Sequence, residues 1–175
     1  MEQIAENKSF GGRQLRFQHA SESLSCDMNF SVYLPPAAEQ GAVPVLYWLS
    51  GLTCTDENFV IKAGAQQFAS KAGIAVVAPD TSPRGDDVPD DAEEAYDFGL
   101  GAGFYVNATR EPWSRHYQMY DYVVEELPAL VGEHLPICFG SVFIDCHLRD
   151  ICAGIVTRDP HVTRCNIQRD FGPFQ

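Results

Sequence analysis

Apolar residues gather into short runs separated by polar, Gly- and Pro-containing stretches, and the runs have two periods. Gln14 to His19 alternates weakly, as an edge strand does. Met28 to Leu34 alternates more clearly and stops at Pro35-Pro36. Ser21 to Asp27 between them supplies the turn of a hairpin. Val45 to Leu49 is a continuous run of β-formers, which predicts a strand buried on both faces. Ile74 to Ala78 is a second such strand, stopped by Pro79. A helix is predicted between these two strands. Thr55-Asp56 offers N-cap chemistry, Phe59, Ala63 and Phe68 fall along one side, and Gly73 follows as C′. Strand, helix, strand at this length reads as a parallel βαβ unit.

Pro79 to Gly103 shows little periodicity and reads as a long loop. Its centre is crowded with Asp86, Asp87, Asp90, Asp91, Glu93, Glu94 and Asp97, a run expected to form a solvated surface. Trp113 to Val131 predicts a helix with Tyr117, Tyr120, Val124, Leu127 and Val131 as its core stripe, interrupted at Pro128. Beyond Pro136 the pattern loses any sustained period, and Cys138, Cys146, Cys152 and Cys165 crowd the last part of the chain.

Charge and composition narrow the function classes. The 175 residues carry a net charge of −12 with 45% hydrophobic and 21% charged residues. An acidic chain repels phosphate backbones, so nucleic acid is not an expected partner. No apolar stretch approaches the roughly 18 residues a membrane span requires. Met1 to Arg16 lacks the apolar centre of a signal peptide, which leads to the expectation of a cytoplasmic protein with reduced cysteines.

The candidate chemistry sits where the first buried strand ends, at Ser50-Gly51-Leu52-Thr53-Cys54. In α/β folds ligands bind beyond the C-terminal ends of the strands. Gly51 is expected to let the backbone turn tightly, with the amides after it aimed into a cleft. Cys54 lies in the same turn, and as a nucleophile it needs a histidine base. His19, His116, His134, His147 and His161 are the candidates, and no spacing singles one out. The four late cysteines are separated by seven, five and twelve residues, without the short chelating pairs of structural zinc sites, so no metal and no cofactor is expected. No serine carries glycines at both −2 and +2, so a nucleophile elbow is absent.

Five segments carry a family resemblance: Leu46 to Cys54 (LYWLSGLTC), Val76 to Gly85 (VVAPDTSPRG), Gly101 to Thr109 (GAGFYVNAT), Pro112-Trp113, and His116 to Tyr122 (HYQMYDY). In order and spacing they resemble S-formylglutathione hydrolase, the esterase D branch of the α/β-hydrolases, from about residue 10 to Pro136. The resemblance implies an α/β fold, here the N-terminal part of a hydrolase sheet followed by an irregular tail. It implies a serine thioesterase or carboxylesterase that hydrolyses S-formylglutathione to glutathione and formate in formaldehyde detoxification. The Ser-His-Asp triad of that family needs no metal, and the complete enzyme could form a homodimer. By the resemblance Leu52 matches the backbone N–H of the oxyanion hole, within an active-site loop of Gly51, Thr53 and Cys54.

The resemblance stops where the family has a strand leading into Gly-His-Ser-Met-Gly-Gly. Here that position reads Ile137-Cys138-Phe139-Gly140-Ser141-Val142. No triad residue carries over, and Asp145, Asp150, His147 and His161 do not take those roles. Residues 1–136 are therefore expected to form the hydrolase portion and 137–175 a disordered tail, truncating the chain before the nucleophile and leaving it inactive. Asp170 to Gln175 can be encoded so that reading one base later gives Ile-Ser-Gly-His-Ser. That points to a retained intron ending in a frameshift. Three other readings stay open: a non-catalytic chain that binds the full-length enzyme through an exposed sheet edge, a cysteine hydrolase using Cys54, and a zinc-binding tail.

Overall fold

A computed structural model describes residues 1–145, and side chains through residue 138. Six strands form one mixed sheet: β1 (Glu2–Ser9), β2 (Gly12–Ser21), β3 (Cys26–Leu34), β4 (Val43–Leu49), β5 (Ala75–Pro79) and β6 (Ile137–Asp145). Their spatial order is β1-β2-β3-β5-β4-β6. The first three strands and β5 are mutually antiparallel neighbours, whereas β4 runs parallel to both β5 and β6.

Alternation along β4 divides the core. Val45, Tyr47 and Leu49 join Phe17, Phe30, Val32 and Val77 in the larger cluster. Leu46 and Trp48 face the other way, against Tyr33, Val76 and Phe59. Trp48 and Phe59 stack with ring centroids 4.1 Å apart. Phe59 lies on α1 (Asp56–Lys62), which is followed by α2 (Ala65–Ala72). On the larger cluster pack α3 (Met119–Asp121), a π-helical turn (Tyr122–Glu126) and α4 (Leu127–His134). Successive strand residues point to opposite faces, so helices cover both sides of the sheet. The hairpin, the βαβ order and the long loop after β5 follow the sequence expectation.

Four expectations are corrected. Residues 14–19 lie in the second strand, because polar Glu2–Ser9 forms the edge and pairs with β2. Phe10 and Gly11 link them with φ of 46° and 77°, as a two-residue primed hairpin turn demands. The helix between β4 and β5 is broken at Gly64, which has φ of 62°. Phe68 consequently lies 69% exposed instead of in the core. Thr55 caps α1 as expected, and Gly73 adopts the left-handed C-terminal conformation.

The third correction concerns the helix before Pro136. Its buried face is Met119, Tyr122, Val123, Leu127 and Val131, while Tyr120 is half exposed. Leu127 N–H bonds to Tyr122 O, five residues back. One extra residue in that turn shifts the core face upstream of Leu127 by one position. The helix also begins at Met119, after a separate 3₁₀ turn at Trp113–Arg115.

The fourth concerns the expected tail. Ile137–Asp145 pairs with β4, Val45 opposite Ser141 and Leu49 opposite Asp145. The rest of that expectation, with His147, Asp150, Cys152, His161 and Cys165, lies outside the described residues. Among those described, no helix is long and apolar enough to cross a membrane.

Candidate active site

The turn after β4 is tied down on every side. Thr53 N–H donates to Gly101 O at 2.9 Å, and Cys54 N–H donates to Gly51 O at 3.2 Å. Tyr105 Oη donates to Ser50 O at 2.7 Å. Two side chains converge on Cys54 O: Thr81 Oγ1 at 2.6 Å and Arg84 Nη2 at 3.0 Å. The Leu52 N–H has no acceptor among the described residues. A free amide at the C-terminal end of a buried strand can receive negative charge as it develops.

The turn departs from expectation in one respect. The residue with left-handed backbone is Thr53, φ 61°, rather than Gly51. A β-branched side chain in that region is strained. The Thr53 N–H bond to Gly101 therefore holds a conformation that the residue itself disfavours.

Below the turn lies Asp80, at the end of β5. Burial raises its carboxyl pKa above the ordinary value, and the charge of Arg84 beside it works against that rise. Arg84 Nε donates to Asp80 Oδ1 at 3.1 Å, and Thr81 N–H to the same oxygen at 2.8 Å. Asp80, Thr81 and Arg84 belong to the 76–85 segment, to which local patterning assigned no role. Their link to Cys54 spans about thirty residues, beyond the reach of any periodicity.

The loop following Asp80 is organised by its own acids. Asp90 Oδ1 accepts from the N–H groups of Asp91 and Leu100, and Asp91 from Ala95. This loop and the segment after it border an open apolar pocket of about 450 Å³. Phe98, Phe104, Val106, Trp113 and Tyr117 line it, with Arg110 supplying a cation.

The described histidines are engaged elsewhere. His19 Nε2 lies 3.1 Å from Tyr122 Oη, His116 Nδ1 2.9 Å from Leu24 O, and His134 Nδ1 2.9 Å from Leu130 O. None of the three hydrogen-bonds Cys54, so the structure brings no base to that thiol among the described residues. No group of three or more His, Cys, Asp or Glu residues converges on a metal position there either.

Parallel β4 and β6 end at the same edge of the sheet, Leu49 opposite Asp145. A residue following a strand in the β6 position would thus face the turn at Leu52.

Known proteins resemble the chain in sequence and in fold. Residues 21–138 match the Esterase family, described as “Putative esterase”. The chain is 56% identical over 137 residues to an S-formylglutathione hydrolase of Mus musculus, covering 78% of this chain and 48% of that protein. The S-formylglutathione hydrolase of Rattus norvegicus is 54% identical with the same coverage. The chain thus spans about half the length of the curated relatives it matches. An S-formylglutathione hydrolase structure from Agrobacterium tumefaciens superposes with a TM-score of 0.81 at 50% identity, over 83% of this chain and 52% of that one. A ferulic acid esterase shares the fold, with a TM-score of 0.58 at 14% identity.

Proposed function

Since this chain belongs to the Esterase family, we propose that it forms the oxyanion-binding half of an S-formylglutathione hydrolase site. The observation that carries this is the Leu52 N–H, which has no acceptor among the described residues while the amides of Thr53 and Cys54 are both engaged. A serine on an elbow after a strand in the β6 position would attack the formyl carbon. The carbonyl oxygen would become an oxyanion facing Leu52 N–H. Collapse would break the C–S bond and release the glutathione thiol, and water would then release formate from the serine ester. Removal of one such donor typically costs a hundred- to thousandfold in kcat.

The substrate class is a glutathione thioester, with no metal or cofactor required. A cytoplasmic location accompanies that substrate. These 175 residues hold no Gly-x-Ser-x-Gly elbow, so the chain by itself should show no turnover.

The test joins residues 1–136 of this chain to the C-terminal remainder of the mouse relative and measures formate release from S-formylglutathione. Turnover is expected in the chimera and none in the 175-residue chain. A folded chimera that leaves the thioester intact overturns the reading.

A further inference from the structure

The segment Asp80-Thr81-Ser82-Pro83-Arg84 takes no part in the reaction outlined above, yet it holds the loop on which that reaction depends. A carbonyl oxygen has two lone pairs, and in Cys54 the donors on both come from this one segment, Thr81 Oγ1 and Arg84 Nη2. The donors are themselves held. Asp80 Oδ1 accepts from the Thr81 N–H and from Arg84 Nε, while Asp80 N–H donates to Asn29 O at 2.9 Å. Asp80 and Thr81 are buried. The chain of contacts therefore runs from the sheet, through Asp80, to the last carbonyl of the turn.

We propose that Thr81 and Arg84, anchored on Asp80, are positioning residues that fix the Cys54 carbonyl and thereby keep the Leu52 N–H aimed into the cleft. This inference rests on the reading of Leu52 as an oxyanion donor. The physical requirement is clear from Thr53. Its left-handed backbone is disfavoured for a β-branched residue and persists only where surrounding contacts over-determine it. Thr53 N–H to Gly101 O holds the turn from one side, and the two donors on Cys54 O hold it from the other. With the second side released, the turn can relax, and small misplacements of a catalytic group cost up to about a hundredfold.

Two measurements test this. In the full 175-residue chain, amide hydrogen exchange is followed at Thr53 and Cys54. Thr81→Val should raise it roughly tenfold, Arg84→Met should raise it as well, and Thr81→Ser should restore protection. Amides of β4 and β5 should not change. Unaltered exchange at Thr53 and Cys54 overturns the proposal, as does a rise that extends into both strands. In the chimera described above, Thr81→Val should lower kcat roughly ten- to hundredfold and leave KM within about twofold, with Thr81→Ser rescuing turnover. A rise in KM at constant kcat overturns it. A chimera that is inactive before any substitution, combined with the expected exchange, rejects the hydrolase reading while supporting the brace.

Discussion

Arg16 reaches from β2 to Asp56 at the start of α1 and makes two hydrogen bonds to its carboxylate, at 2.8 and 3.0 Å. Asp56 is fully buried, and Ser31 Oγ donates to it at 2.8 Å. This pair ties the antiparallel hairpin to the helix that begins just after the Leu52 turn. Removing one member leaves the other charge without its partner, which costs about 3 kcal/mol. Arg16→Met should lower the urea midpoint accordingly with no change in m. The double variant Arg16→Met with Asp56→Leu should recover part of the loss, and strict additivity of the two single effects would contradict the coupling.

Acidification should destabilise the protein in two steps. Burial lowers the His19 pKa, with the charge of Glu126 opposing that effect. Unfolding then gives a histidine that binds protons more tightly, so stability falls as pH drops from about 6.5 toward the folded value. Glu126 behaves differently. Burial opposes its charge, yet hydrogen bonds from Ser23, Ser21 and the Glu22 N–H outweigh burial and hold its pKa down. Its contribution is present above about pH 4.3 and is lost as pH falls through the lower, folded value. Thermal midpoints measured from neutral pH to about pH 3 should show both falls. Glu126→Gln should shrink the lower one.

Two aromatic or aliphatic positions on helices should respond in opposite ways. Leu127 is fully buried beneath the sheet, whereas Phe68 projects from α2. Leu127→Ala should cost about 3 kcal/mol. Phe68→Ser should cost less than about 0.5 kcal/mol, as exposed substitutions do. Chemical denaturation of both variants checks the comparison, and a large loss for Phe68→Ser would place α2 differently.

Gly99 has φ of 58°, and a Cβ there would collide with Asp90 Oδ1 and with the Asp91 backbone N at 2.8 Å. The Asp90 carboxylate that would be displaced also accepts from Leu100 N–H, next to the Gly101 carbonyl that holds Thr53. Gly99→Ala should therefore destabilise by more than about 1 kcal/mol and speed amide exchange at Thr53. Gly41→Ala, where a Cβ meets nothing within 4 Å, is the matched control. Equal thermal midpoints for the two variants would count against this account of the loop.

The amino-acid order alone determined the local units. Val45 to Leu49 and Ile74 to Ala78 read as buried strands because continuous β-forming runs have few other uses. Thr55 and Gly73 marked helix ends through chemistry confined to one or two residues. The turn at Leu52 was legible as a strand end for the same reason. Strand β1 was not legible, since both its faces meet solvent and alternation vanishes without a buried face. The core stripe over Met119 to Val131 was misplaced because one π-helical turn shifts the periodicity, and that turn depends on packing. The contacts of Arg16 with Asp56, of Tyr105 with Ser50, and of Thr81 and Arg84 with Cys54 were decided only by the tertiary structure. They join residues tens of positions apart, through one or two hydrogen bonds each that leave no trace in local pattern.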